Sequence, residues 1–303
     1  MTDLRFDDRV VVVTGGGRGI GRGHALLAAA KGACVVVADN GAEIDGRAGA
    51  SRAADAVVEE ITQRGGRAVA CHASVADEAG AQSIVDAALG AFGHLDAVIN
   101  NAGAHDPGLF ENLSGDRVRR MLDVHYFGTL SVTRAAWPHL VAAGQGRIVN
   151  TVSEAMLGGI PELTSYGAAK GAVWGLTRNL ATEGAVHGIA VNAIAPRAYT
   201  RMSASQGRQL AELYGMSEET MAEINASMPP ELCAPAAVFL AHPSCRLNGE
   251  VLLTGMGGVS RLAVVRTQGI WKQPLTAEDI AENLDTIMNV DDAYVTEATR
   301  SVL

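Results

Sequence analysis

Tyr166 and Lys170 stand four residues apart in the run Tyr-Gly-Ala-Ala-Lys. On a helix that spacing puts both side chains on one face. A free tyrosine has a pKa of about 10 and is a poor base at neutral pH. An adjacent ammonium stabilises the phenolate and lowers that value. Tyr166 can then take the proton of an alcohol as hydride leaves its carbon, or return it during reduction. Ser153 lies thirteen residues earlier, just after an apolar run, where its hydroxyl can hold the substrate oxygen without moving a proton. The chain has three lysines, Lys31, Lys170 and Lys272, so a lysine inside a motif is informative.

A second constellation suits a phosphate. Thr14-Gly-Gly-Gly-Arg-Gly-Ile-Gly21 follows one apolar run and precedes a helical pattern. Glycines there let backbone N–H groups approach a pyrophosphate at a helix N-terminus. Gly15, Arg18, Gly19, Ile20 and Gly21 are the expected cradle of a dinucleotide. Asp39 stands 18 residues past Gly21, at the end of the second apolar run. Its carboxylate can accept both ribose hydroxyls and repel a 2′-phosphate, which favours NAD over NADP. Arg18 pulls the other way, since a cation there can pair with a 2′-phosphate.

Short β-branched runs must position these groups. Val10 to Val13, Cys34 to Ala38, Val69 to Cys71, Leu95 to Ile99, Arg147 to Val152, Ile189 to Ile194 and Val251 to Leu253 read as seven strands. Helical patterns separate them, including 53–64, 79–92, 115–143 and 165–187. Continuous apolar strands alternating with helices predict a parallel sheet buried on both faces. The fold class is therefore α/β, a Rossmann-type doubly wound sheet of seven parallel strands with helices on both sides. One domain is expected over 1–258. It includes a Gly-rich loop at 40–52 and a Met-bearing stretch at 197–228 that reads as a lid or as an ordinary helical insertion. A C-terminal extension over 259–303 packs on the same domain or on a neighbouring subunit, and Thr276 to Asp279 resembles a capping box.

Composition narrows the function. The formal charge is -9 and aromatics are 4% of the residues, a poor fit to nucleic-acid binding. No apolar stretch approaches the ~20 residues of a membrane helix. The acidic N-terminus is not a secretory signal, and the final Ser-Val-Leu is not the peroxisomal Ser-Lys-Leu, so a cytoplasmic setting is expected. Cys34, Cys71, Cys233 and Cys245 make no C-x-x-C and no zinc spacing, so no metal is expected and the thiols read as reduced. Ser153 lacks the G-x-S-x-G of a hydrolase elbow. His24, His72, His94, His105, His139, His187 and His242 are scattered and read mostly as structural or surface residues.

The glycine loop, Asn100-Asn-Ala-Gly103, Ser153 and Tyr166-Gly-Ala-Ala-Lys170, in that order, resemble the short-chain dehydrogenase/reductase family over about residues 8–255. That resemblance implies cofactor contacts from Asn101, Ala102, Gly103, Pro196 and Thr200, and from Lys170 to the nicotinamide ribose beside Tyr166. Three positions depart from the usual pattern. His125 replaces an asparagine that helps carry protons from the lysine, and an imidazole can also relay them. Ala73 replaces an aspartate near the adenine, leaving recognition to backbone groups at Ser74 and Val75. Arg197 replaces the glycine after Pro196, either shaping the cofactor pocket or meeting an acidic substrate group. The stretch from His125 to Trp137, the segment Pro230–Cys245 and the tail through Pro274 are similar to the branch containing the dehydrogenase domain of peroxisomal multifunctional enzyme type 2. This implies an NAD-dependent enzyme for a (3R)-hydroxyacyl-CoA or a 17β-hydroxysteroid, working as a homodimer or homotetramer packed through the helices at 115–143 and 165–187. An NADPH-dependent ketoreductase and a nucleotide-binding regulator without catalysis are the alternatives.

Overall fold

The computed structural model describes residues 3–204, 211 and 215–296. Strands β1 (Val10–Thr14), β2 (Cys34–Ala38), β3 (Arg67–Cys71), β4 (Ala97–Asn100), β5 (Arg147–Thr151), β6 (Ala190–Arg197) and β7 (Val251–Gly255) form one parallel sheet in the order β3-β2-β1-β4-β5-β6-β7. The seven expected strands are all present. An eighth, β8 (Gly258–Leu262), pairs antiparallel with β7, so the sheet has eight strands. Residues expected to open the extension thus continue the sheet.

Each strand feeds two cores. Val11 and Val13 of β1 face one layer, while Val10 and Val12 face the other. This is the period-2 alternation of a strand buried on both faces. Helices α1 (Gly19–Ala30) and α2 (Ala53–Gln63), with the helix Ala234–Ala241, cover the first face. Helices α3 (Glu78–Phe92), α5 (Gly128–Ala143) and α6 (Thr164–Ala185) cover the second. Their inward positions are largely alanines, such as Ala25, Ala81, Ala136 and Ala181, which let helices approach the sheet closely.

The helix expected over 115–143 is not uniform. α4 (Gly115–Leu122) passes into a π turn, Asp123–Phe127, before α5 begins. The extra residue in that turn rotates His125 inward, to 2% exposure. Strand order reverses between β1 and β4, both of which leave their C-terminal ends at one crevice, and ligands of such sheets bind there.

The stretch 197–228 begins and ends close together, since the Tyr199 amide donates to the Met228 carbonyl at 2.7 Å. Helices Arg201–Ala204 and Glu218–Ala226 lie within it, and its residues 205–210 and 212–214 are outside the described residues. Past β8, the short strands Val265–Arg266 and Tyr294–Val295 pair antiparallel. Arg178 of α6 donates to the Thr296 carbonyl at 2.8 Å and ties this segment to the sheet domain. Thr276 and Asp279 form the expected capping box, opening the helix Ala277–Glu282. All four cysteines are free.

Candidate active site

The glycine loop between β1 and α1 is pinned from β4. Asn101 donates through Nδ2 to the carbonyls of Thr14 and Gly15 at 3.0 and 3.1 Å. The Thr14 hydroxyl accepts from the amides of Asn101 and Ala102 at 3.0 and 3.1 Å. Gly15 turns through φ +62°, and a Cβ there would come within 2.8 Å of the Ala102 Cα. A Cβ on Gly21 would collide with the Gly15 carbonyl and the Asn101 amide. No side chain among the described residues caps the start of α1, so its first amides remain donors for an anion. Asp39 ends β2 with each carboxylate oxygen fixed by a backbone amide, Gly17 at 3.0 Å and Gly41 at 2.9 Å.

A cavity of about 310 Å³ runs from Asp39 past the glycine loop to Tyr166 and Lys170. Gly15, Arg18, Gly19, Ile20 and Gly21 line it, as do Ser74 and Val75, Asn101 to Gly103, His125, Pro196 and Thr200. Every residue expected to touch the cofactor therefore meets one space. These residues fit a dinucleotide: an uncapped helix start and a cradle with no room for side chains face a fixed carboxylate. The loop at 40–52 roofs part of the cavity through Ala42, Glu43, Ile44 and Gly46. It is held there because the His105 amide donates to the Ile44 carbonyl at 2.7 Å.

At the other end, α6 presents Tyr166 and Lys170 one turn apart. Ser153 follows β5, accepts from the Ala155 amide at 3.2 Å, and sits near enough to Tyr166 for its hydroxyl to act on the phenol. Burial pushes the Tyr166 phenol up, and the neighbouring Ser153 hydroxyl only partly pulls it back. Burial lowers Lys170 to about 7. Its ammonium lies 5.7 Å from the Tyr166 ring centre and donates to the Thr151 carbonyl at 2.6 Å. The expected lowering of Tyr166 by an adjacent full charge is thus absent from the protein's own electrostatics. Desolvation moves both groups toward neutrality.

His125 is buried, and desolvation with the nearby Lys170 charge holds it well below the usual imidazole range. Its Nε2 lies 2.8 Å from the Ala104 carbonyl and 3.1 Å from the Ala104 amide, while Nδ1 has no hydrogen-bond partner among the described residues. Arg197 donates to Glu154 through two nitrogens, at 2.7 and 2.6 Å. Its guanidinium therefore braces the turn after Ser153.

Sequence reasoning missed two features. Asn100 donates to Thr133 and to Asn150, each at 3.0 Å, and Asn150 donates to Thr177 at 2.9 Å. This buried chain fastens β4 and β5 to α5 and α6, and so fixes the helix carrying Tyr166. Polar residues inside otherwise apolar runs were its signal. His105, read with the scattered histidines, is 5% exposed and packs perpendicular to Tyr166, with ring centres 5.6 Å apart.

Residues 9–211 match the model of the short chain dehydrogenase family. The chain belongs to that family. It is an NAD(P)-dependent dehydrogenase/reductase of CH–OH groups, in the branch that includes peroxisomal multifunctional enzyme type 2. A Mycobacterium tuberculosis protein named as a short-chain type dehydrogenase/reductase is 39% identical over 289 residues, covering 95% of this chain and 96% of that protein. Mouse peroxisomal multifunctional enzyme type 2 is 39% identical over 294 residues, 96% of this chain. This chain spans only 38% of the mouse protein's length. Among solved structures, a Mycobacterium avium short chain dehydrogenase superposes with a TM-score of 0.77 at 34% identity, over 93% of this chain and 95% of that one. A 7α-hydroxysteroid dehydrogenase complexed with NADH and a 7-oxo bile acid gives 0.71 at 29% identity, over 84% and 96%. No helix among the described residues is long and apolar enough to cross a membrane.

Proposed function

We propose that this short-chain dehydrogenase interconverts a bulky secondary alcohol and its ketone with NAD, the alcohol being a (3R)-hydroxyacyl-CoA or a 17β-hydroxysteroid. The observation that carries the reading is one cavity with Asp39 at one end and Tyr166 and Lys170 at the other, with the Ser153 hydroxyl acting on Tyr166. Bound nicotinamide supplies or accepts the hydride. The uncapped start of α1 and the glycine loop hold the pyrophosphate, and Asp39 takes the ribose hydroxyls. Ser153 orients the substrate oxygen, and the Tyr166 hydroxyl exchanges a proton with it. Lys170, poised near neutrality, can pass that proton on, and the free Nδ1 of His125 offers a further acceptor.

Resemblance to the multifunctional enzymes favours the acyl-CoA substrate. Of Arg47, Arg52, Arg197 and Arg201, one is left as a candidate for its phosphates. Arg47 pairs with Asp45, Arg52 with Asp55 and Arg197 with Glu154. Arg201 lines the cavity and has no ion pair among the described residues. Arg18 also lines the cavity without an ion pair among those residues, and this favours a second reading, NADPH-dependent ketone reduction. A homodimer or homotetramer packed through α5 and α6 belongs to the proposal.

Absorbance at 340 nm tests both readings, pairing NAD and NADP with (3R)-hydroxyacyl-CoA and 17β-hydroxysteroid. Turnover with NAD that disappears in Tyr166→Phe supports the first. Turnover confined to NADP supports the second, and full activity in Tyr166→Phe refutes the catalytic assignment.

A further inference from the structure

His105 does not line the cavity, yet it reaches the reacting tyrosine from behind. Its ring stands perpendicular to that of Tyr166, at 85° and 5.6 Å between centres. His125 does the same at 84° and 5.2 Å. Both imidazoles are tied to the segment after β4, His105 as part of it and His125 through a hydrogen bond from the π turn. The Ala104 backbone grips His125 Nε2, and the His105 amide is hooked to Ile44 in the loop at 40–52. Two perpendicular rings bearing on one aromatic ring fix its plane far better than aliphatic contacts do, because the ring quadrupoles reward one orientation. The Tyr166 hydroxyl must be aimed at the substrate oxygen that Ser153 orients, so the plane of its ring matters.

We propose that His105 is a positioning residue for Tyr166, its imidazole holding the phenol ring in the plane that aims the hydroxyl at the substrate oxygen beside Ser153. This rests on the reading of Tyr166 as the acid/base, and it adds a residue outside the Ser153, Tyr166 and Lys170 set. Acting through Tyr166, His105 should influence turnover and leave cofactor affinity alone. It should also be replaceable by another planar ring, since the ring contact is what it supplies to Tyr166.

The test compares His105→Ala with His105→Phe in the full chain. In His105→Ala, kcat should fall roughly 10- to 100-fold, as a small misplacement of a reacting group can cost about that much. KM and the NADH Kd should stay within about threefold of the parent protein. His105→Phe should restore kcat to within about fivefold. If it is as impaired as His105→Ala, or if neither variant loses activity, the proposal is overturned. A second arm does not depend on turnover. The chain has five tyrosines, so protein labelled with ring-13C tyrosine gives a simple spectrum, and Tyr166→Phe identifies the Tyr166 signal. That signal should move in His105→Ala and return toward its original place in His105→Phe; an unmoved signal refutes the contact. If the parent protein turns over no secondary alcohol while the signal still responds, the proposed function fails and the ring contact stands.

Discussion

Replacing Lys170 with methionine should stabilise the fold while abolishing activity, and the stabilisation should fade as pH rises. Lys170 is 3% exposed, and burial lowers it from 10.5 to about 7. Between those two values the unfolded chain binds the proton and the folded chain does not. Parent stability therefore rises with pH across that window, and the full penalty is present below about 7. The depression corresponds to roughly 5 kcal/mol at pH 5, roughly 4 at pH 7 and roughly 1 at pH 10. Methionine removes the penalty. It also leaves the Thr151 carbonyl without its 2.6 Å donor, a loss of about 1–3 kcal/mol at every pH. Lys170→Met should accordingly be more stable than the parent by roughly 1–3 kcal/mol at pH 7, with the difference falling by about 3 kcal/mol by pH 10. In thermal unfolding followed at each pH from 6 to 10 without added nucleotide, the Tm difference should shrink by on the order of 5–10 °C. Other titrating groups cancel between the two proteins. A Tm difference constant across that range would mean that Lys170 is not a desolvated amine, and the reasoning would fail.

Asp39→Ser should move the NADP-to-NAD ratio of kcat/KM by roughly 10- to 100-fold toward NADP, since it removes the carboxylate that repels a 2′-phosphate; an unchanged ratio would count against the ribose assignment. Gly21→Ala places a methyl against the Gly15 carbonyl and Asn101. It should lower stability by about 1–3 kcal/mol and weaken NADH binding, measured by denaturant unfolding and by quenching of cofactor fluorescence. Arg197→Gly and Glu154→Gln should each reduce kcat/KM by roughly tenfold, and the double variant by no more than either alone. Their Tm values should stay close to the parent, because the pair is part-exposed and contributes about 0–1 kcal/mol. Fully additive losses in kcat/KM would show that the two side chains act separately.

Much of this site was legible because its chemistry lies in short local motifs. The glycine loop, Asp39, and the Tyr166 and Lys170 pair each need only a strand–helix junction or one helical turn to be placed. The parallel strands were legible for a related reason, as runs such as Val10–Val13 are apolar on both faces. What escaped depends on contacts between distant segments or on backbone detail with a weak sequence signature. The β7–β8 hairpin turns through Met256 and Gly257, both at positive φ, and Met in that position gives none of the Asn-Gly signal that announces such a turn. The π turn at Asp123–Phe127 sits inside a helical pattern that looks continuous, and His125 within it is buried. His105 resembled any other histidine until loop 40–52 and α6 were brought against it.

The electrostatics show why motif chemistry has to be finished in three dimensions. Four-residue spacing puts an ammonium beside a phenol, and in water that pairing would lower the tyrosine. Inside the fold the same proximity comes with burial of both groups, and desolvation acts on each in the direction of its neutral form. The protein thereby holds a neutral tyrosine and a lysine balanced near pH 7. That balance suits a proton exchanged in either direction better than a fixed phenolate would, because an alcohol oxidised and a ketone reduced need opposite transfers at the same oxygen. Lys170 shares its buried end of the cavity with a neutral imidazole and a backbone carbonyl, and among the described residues no carboxylate pairs with it there. A carboxylate introduced beside it would hold the ammonium charged and slow whichever direction needs the amine.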